Sequence, residues 1–350
     1  MLYLRRRIAS LERKRRRRKS AGKRQDTATR SSGSEHFSST GEHFKDNQIV
    51  EAVPVNFSIH DNPDEVITFF NRVISLIKSG KHNIQRMVFD FRKVTHISID
   101  AIMYLIAIIH NIRTRLYAIT EFQGNVPVDE KARELLLNSG FMRYVKSPNS
   151  PPESTEAHIL IESDSKINLN TFKKVCDFVH EKSGTTKKDT AFLYQLISEL
   201  ANNVFDHAYI QDSHDIFKRN WYSYVEQLEN GFFRFVFLDT GAGIWKTIRK
   251  NNWAEKLTLT SSQADVIISA LNGAFRTSTA MYNRGNGLPS IKQHATSGKI
   301  DNLTIITNNA YCYMSSIDGM EIKKKDMRSS LSGTVYYWEI DATVIKEKVS

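Results

Sequence analysis

The chain has 350 residues, 40% hydrophobic and 25% charged, with a formal net charge of +11. That is length enough for two ordinary domains with cores of their own, and the composition is that of a soluble globular protein. The longest apolar run, Ala101–Ile109, is too short to span a bilayer, and the basic residues near the start flank too little apolar sequence for a secretory signal.

Two cysteines, Cys176 and Cys312, lie inside apolar segments. They suggest neither a disulfide framework nor a zinc cluster, so a reducing, cytoplasmic setting is expected. Charge is distributed unevenly. Residues 1–24 hold 12 Lys or Arg and the single acid Glu12, while residues 25–350 hold 37 basic and 37 acidic side chains. The basicity therefore belongs to an arm, which could meet nucleic acid or an anionic membrane surface. A disordered tail that only aids solubility is the ordinary alternative. Residues 20–48 are rich in Ser, Thr and Gly and read as a linker, so residues 1–48 form a basic disordered arm and linker.

Structure is expected from about Gln48. Ile49–Ile59 has strand character, and Asp61-Asn62-Pro63 opens a helix to about Ser79, with a capping residue and a proline in its first turn. Arg86–Phe91 is a short strand, and Ile99–Arg115 is a helix apolar almost all round, hence buried. Tyr117–Phe122 is a strand and Asp129–Asn138 a helix. This alternation predicts an α/β layer over residues 49–150.

Within it, VFDFRKVTHISIDAIMYLIAI (Val88–Ile108) resembles the signature of the STAS fold, the anti-sigma-factor antagonist domain. The resemblance covers roughly Ile49–Val145. It implies a strand ending at Asp90, a loop, and a helix whose start carries a phosphorylated serine. Here that start reads Ser98-Ile99-Asp100-Ala101, so the acceptor position is not a serine, and Asp100 supplies a fixed negative charge at a helix N-terminus. Ser98 is the remaining candidate acceptor. The resemblance thus implies a STAS-like interaction or dimerisation module, with a protein partner or a second copy (a homodimer) as its occupant; a generic α/β domain is the alternative.

The polar, proline-bearing run Ser147–Glu156 predicts a boundary, with a second domain over 151–350. His158–Glu162 is a strand, Leu169–Lys182 a helix and Lys188–Tyr209 a long helix. In the last, Leu196, Leu200 and Val204 form an apolar stripe, while Glu199, Asn203 and His207 share a neighbouring polar one. A solvated face would look the same. Trp221–Leu228 and Gly231–Leu238 alternate around Asn230-Gly231, a hairpin signal, and the second strand delivers Asp239. There follows Asp239-Thr240-Gly241-Ala242-Gly243. A carboxylate at a strand end can accept the exocyclic N–H of adenine, and the glycines allow a sharp turn and close approach. Residues 245–284 form a long connection of lid length, with a helical stretch Gln263–Phe275. Then Gly285 and Gly287 precede a helix bearing Pro289, a start that can cradle phosphate, with Arg284 and Lys292 adding charge. A glycine turn capping an ordinary helix is the alternative. Asn302–Thr307, Tyr311–Ser315 and Thr334–Ile340 are strands, the last opened by Gly333.

Taken in order, Glu199/Asn203, Asp239-x-Gly241-x-Gly243, Gly285-x-Gly287-Leu288 and Gly333-Thr334 resemble the GHKL ATPase superfamily over residues 155–345. ELANNVFDHAY is most similar to its anti-sigma serine-kinase branch. The resemblance implies a GHKL (Bergerat) α/β sandwich, a mixed sheet under a helical layer, so the whole chain is α/β and α+β. It implies ATP and Mg²⁺ as cofactors: Asn203 on the metal, Glu199 as general base, Asp239 on adenine, Gly241 and Gly243 shaping its pocket, Gly285, Gly287 and Leu288 around the phosphates, and Thr334 near the adenine. Leu288 is followed by Pro289-Ser290 and not by Gly-Leu, which alters the lid. His180-Glu181 lies too close to Glu199 for a phosphoacceptor hairpin, so a histidine kinase proper is not expected, and His180 reads as an exposed helix residue. The function implied is an ATP-gated interaction switch with ATPase activity, or else an anti-sigma-type protein serine/threonine kinase acting on a separate STAS-like partner.

Overall fold

The computed structural model describes residues 43–45, 48–79, 85–113, 121–146, 158–163, 169–207, 220–250, 262–275, 287–316 and 320–343. The basic arm, the Ser147–Glu156 boundary, most of the Tyr117–Phe122 strand, Ala208–Tyr209, Arg284 and Gly285 lie outside them. Residues His43–Ser350 form one compact unit. Among the described residues no helix is long and apolar enough to cross a membrane.

The fold is mixed α/β, with parallel and antiparallel sheets. The N-terminal half comprises β1 (His43–Lys45), β2 (Gln48–Ala52), β3 (Asn56–Phe57), α1 (Pro63–Ser79), β4 (Arg86–Asp90), β5 (His96–Ile97), α2 (Ile99–Arg113), β6 (Glu121–Gly124), α3 (Glu130–Asn138) and α4 (Phe141–Lys146). Its sheet runs β1-β2-β4-β6, with β2, β4 and β6 parallel and β1 antiparallel on the edge. Pairing thus starts at His43, earlier than the apolar pattern indicated, because an edge strand is held by backbone bonds that need no apolar side chain. Pro63 begins α1 as the proline predicts, and Asn62 before it bonds Glu65. Asp129 caps α3 by accepting from the Ala132 N–H at 2.9 Å.

The C-terminal half comprises β7 (His158–Ser163), α5 (Leu169–Ser183), α6 (Ala191–His207), β8 (Trp221–Gln227), β9 (Phe232–Asp239), α7 (Ile244–Lys250), α8 (Gln263–Leu271), α9 (Gly287–Thr296), β10 (Asp301–Ser315) and β11 (Glu321–Asp341). The five-stranded sheet, β10-β11-β9-β8-β7, is antiparallel throughout, so the mixed pairing occurs in the N-terminal sheet instead. The β8–β9 hairpin turns at Gly231, whose φ of 84° is the left-handed conformation glycine accepts freely. Two strands expected around a turn at 308–310 are one strand, β10, interrupted by register shifts at Thr307–Ala310. β11 begins at Glu321, well before Thr334, because its exposed, charged first residues are held by cross-strand pairing to β10 and by Lys324 and Asp326 bonding the start of α8.

Both faces of this sheet are covered. Phe233, Phe235, Phe237, Tyr336 and Trp338 point into a core shared with Leu196, Leu200 and Val204 of α6. The alternate residues Val236, Leu238, Val335 and Tyr337 belong to a different core, which contains α1, α2 and the N-terminal sheet. Helix α2 is consequently enclosed: every residue from Ala101 to Ile109 is at most 1% exposed. Burying apolar surface at about 25 cal/mol per Å² makes this double-sided packing the main cohesive contribution.

Candidate functional site

The C-terminal end of β9 places Asp239 opposite Thr334 of β11 and Trp221 of β8. The residue is 5% exposed. The Gly241 N–H donates to Asp239 Oδ1 at 2.8 Å. Burial pushes its carboxyl up to about 6, against the opposing pull of the Gly241 N–H and the Thr334 hydroxyl. Beyond these two donors a carboxylate has lone pairs left to accept a further N–H.

The turn after it is fastened by residues the sequence pattern did not flag. Thr307 Oγ1 accepts from the Ile244 N–H at 2.9 Å and lies within hydrogen-bond distance of the Gly333 carbonyl and the Thr334 hydroxyl, at 3.1 and 3.2 Å. Asn308 Nδ2 donates to the Ala242 carbonyl at 2.8 Å, and its Oδ1 accepts from the Lys246 N–H at 3.4 Å. Asn308 has φ 51°, a left-handed conformation that asparagine tolerates, at the register shift in the β10–β11 ladder. Gly243 has φ 82°, and a β-carbon there would sit 2.6 Å from the Asn308 amide. The polar run Thr307-Asn308-Asn309 inside an apolar strand was the available signal.

Gly333 makes the closest approach. At φ 97°, a β-carbon on it would lie 1.9 Å from the Asp239 carbonyl oxygen. The glycine therefore lets β11 close onto the turn, and this aligns Thr334 with Asp239.

The second cluster lies on the helical layer. Leu196, Leu200 and Val204 are buried, as the stripe predicts, and Glu199 and Asn203 are half-buried one turn apart on α6. Gln195 Nε2 donates to Glu199 Oε1 at 3.0 Å, whereas Glu199 Oε2 is out of solvent with no hydrogen-bond partner. Such an orphaned carboxylate oxygen is costly unless something else satisfies it. Helix α9 begins at Gly287, against Asn203: a β-carbon on Gly287 would sit 2.3 Å from Asn203 Nδ2. Lys292 bonds Asn272.

The two clusters are joined by packing. Ile244, after the Asp239–Gly243 turn, and Leu288, after Gly287, rest on one apolar group of Ile248, Val266, Ala270 and Phe275. Gly285 falls outside the described residues, as does the rest of the loop before α9. His180 is half-buried on α5, with Nδ1 out of solvent, and not exposed as expected, because α5 lies in the helical layer with Val179 and Phe178 in the core. At the start of α2, Ser98 is 7% exposed and its hydroxyl bonds Asp100. Asp100 is fully buried; burial opposes its charge, but His60 at 2.8 Å, Ser98 and the Ala101 N–H hold its pKa below the ordinary carboxylate value.

An adenine nucleotide with Mg²⁺ is a group these residues fit. Asp239 offers a dry acceptor, Glu199 an unsatisfied oxygen, and Asn203 an amide beside the backbone of a helix start. Among the described residues no group of three His, Cys, Asp or Glu is arranged to hold a metal. Magnesium bound through phosphates and waters does not need one.

No protein-family model matches the chain, and no curated protein matches it. Among solved structures, it is similar to the histidine kinase domain from Erythrobacter litoralis EL346 blue-light activated histidine kinase. The alignment has 12% identity and a TM-score of 0.25, covering 57% of this chain and 74% of that one.

Proposed function

We propose that the chain is an ATP-binding regulatory protein, a nucleotide-gated interaction switch with ATPase activity. In this reading residues 151–350 are a GHKL-type ATP-binding domain, residues 49–150 a STAS-like interaction domain, and residues 1–48 an arm. The observation that carries it is the dry Asp239 carboxylate, held at a strand end by Gly241 and Thr334 with a glycine turn on either side.

Asp239 accepts the exocyclic N–H of adenine, and Gly241, Gly243 and Thr334 shape the pocket around it. Gly287 and Leu288 border the phosphates, where the start of α9 presents backbone N–H groups, and the sequence pattern assigns Gly285, outside the described residues, to the same role. Asn203 would hold Mg²⁺ through its amide oxygen, and the metal would supply neutralisation of charge on the terminal phosphates. Glu199 removes a proton from the attacking water. Its partnerless Oε2 is the atom for that task, since Oε1 is engaged by Gln195.

The test is ATP binding by titration calorimetry with and without Mg²⁺, on wild type, Asn203→Ala and Asp239→Asn. The reading requires Mg²⁺-dependent binding, weakened in the first variant and lost in the second. Unchanged binding in Asp239→Asn would place the site elsewhere. Incubation with γ-labelled ATP, alone and with cell extract, decides the chemistry: free phosphate supports the switch, and label on a protein supports a serine/threonine kinase. Ser98 is enclosed, so a labelled protein is expected to be a separate one. The arm is tested by removing residues 1–24 and measuring binding to single-stranded nucleic acid and to anionic vesicles at several salt concentrations.

A further inference from the structure

Across the sheet from α6 and α9, the strands that carry Asp239 and Thr334 are backed by helix α2 of the N-terminal half. Two of its side chains reach through to the segments that carry the pocket. Tyr104, 1% exposed, donates its hydroxyl to the Ser332 carbonyl at 2.7 Å, immediately before Gly333-Thr334. His110 Nδ1 lies 3.0 Å from the Tyr222 hydroxyl and 3.4 Å from Asn220 Nδ2. Asn220, in turn, takes the Thr240 N–H and the Thr240 hydroxyl on its backbone carbonyl, both at 3.3 Å. Thr240 is fully buried and follows Asp239.

The two contacts thus bracket the buried acid, one on the strand that pairs with it and one on the turn that leaves it. Gly333 sits in the left-handed region against the Asp239 backbone, with its carbonyl accepting from the Thr307 hydroxyl on one side and Ser332 before it. The Tyr104 bond holds Ser332.

We propose that Tyr104 and His110 are positioning residues of the nucleotide pocket, so that the N-terminal half sets nucleotide affinity through α2. This rests on the ATP-binding reading above. By linkage, nucleotide binding tightens the packing of α2 on the sheet by the same factor that α2 tightens nucleotide.

The test uses the full chain and three variants. Tyr104→Phe and Tyr222→Phe each delete one hydroxyl and keep the ring. Thr68→Val removes the contact between Thr68 and the Ser329 hydroxyl, 2.6 Å, which joins the same two halves away from the pocket. Titration calorimetry with Mg·ATP should show about a three- to tenfold rise in Kd for the first two, the size of one hydrogen bond, and none for Thr68→Val. Amide exchange without nucleotide should accelerate over residues 238–244 in Tyr222→Phe and over 331–336 in Tyr104→Phe. A purely structural role would lower the melting temperature of all three and leave Kd alone; that result overturns the proposal, as does unchanged exchange in both segments. If wild type binds no ATP, the parent reading fails, and the exchange measurement still decides whether α2 fixes these segments.

Discussion

Asn203 and Gly287 meet where α6 faces the start of α9, with no room for a side chain on the second residue: its β-carbon would fall 2.3 Å from Asn203 Nδ2. The obstructing atom is the end of a side chain that can rotate away, so Gly287→Ala should cost little stability and instead displace the amide. We expect the melting temperature to change by only a few degrees, while Mg²⁺-dependent ATP affinity falls about tenfold or more. Thermal unfolding by circular dichroism and calorimetry with and without Mg²⁺ measure the two effects. A variant that binds Mg·ATP as wild type does would remove Asn203 from the site.

Gly333→Ala should behave in the opposite way. Its β-carbon would strike the Asp239 backbone oxygen, which cannot rotate aside, and its φ of 97° is strained for alanine. Destabilisation above about 2 kcal/mol is expected. Gly231→Ala, with φ 84° but open space around it, should cost about 1 kcal/mol. Urea unfolding of the pair separates backbone strain from collision, and equal losses would contradict the contact at Gly333.

Glu199→Gln replaces an orphaned carboxylate by a neutral group of the same shape. Nucleotide binding should persist and phosphate release should fall about 10²- to 10⁴-fold, the usual contribution of a general base. Stability should hold, because the glutamine keeps an oxygen for the Gln195 amide to donate to. Phosphate release at saturating ATP is the measurement; a rate within twofold of wild type would exclude Glu199 as the base.

Asp239 gives the pH dependence a direction. Its carboxyl is raised to about 6 in the fold, so between about pH 4 and 6 the folded chain holds a proton that the unfolded chain has released. Stability of the nucleotide-free protein should therefore fall as pH rises through that window. Nucleotide affinity should move the other way, since only the ionised carboxylate is purely an acceptor for adenine. Asp239→Asn should flatten both profiles near pH 6, and an unchanged stability profile in that variant would assign the titration to another group.

Local structure was largely legible in the sequence. Pro63, the apolar run from Ile99 and Asn230-Gly231 each announce an element through short-range chemistry, and α1, α2 and the β8–β9 hairpin follow them closely. The placement of Asp239 at a strand end was legible for the same reason. Glu321–Asp326 was not, because six largely charged, exposed residues are held in a strand by cross-strand pairing to β10, which leaves no local pattern. The latch formed by Thr307 and Asn308 depends on a turn some 65 residues earlier in the chain. Nor does periodicity reveal that α2 backs the sheet, although Phe232–Asp239 is apolar on both alternating faces and so required a cover on each.

That double cover governs how the molecule can be divided. Cutting the chain near residue 150 would strip α1 and α2 from Tyr222, Tyr224, Val236, Leu238, Ile306, Val335 and Tyr337, leaving an apolar sheet face open to water. The C-terminal fragment alone would be prone to self-association through that face. The same cut would leave α2 with one side bare. The halves are thus obligate companions in folding, and the intact chain should melt in one transition even though its sequence reads as two modules.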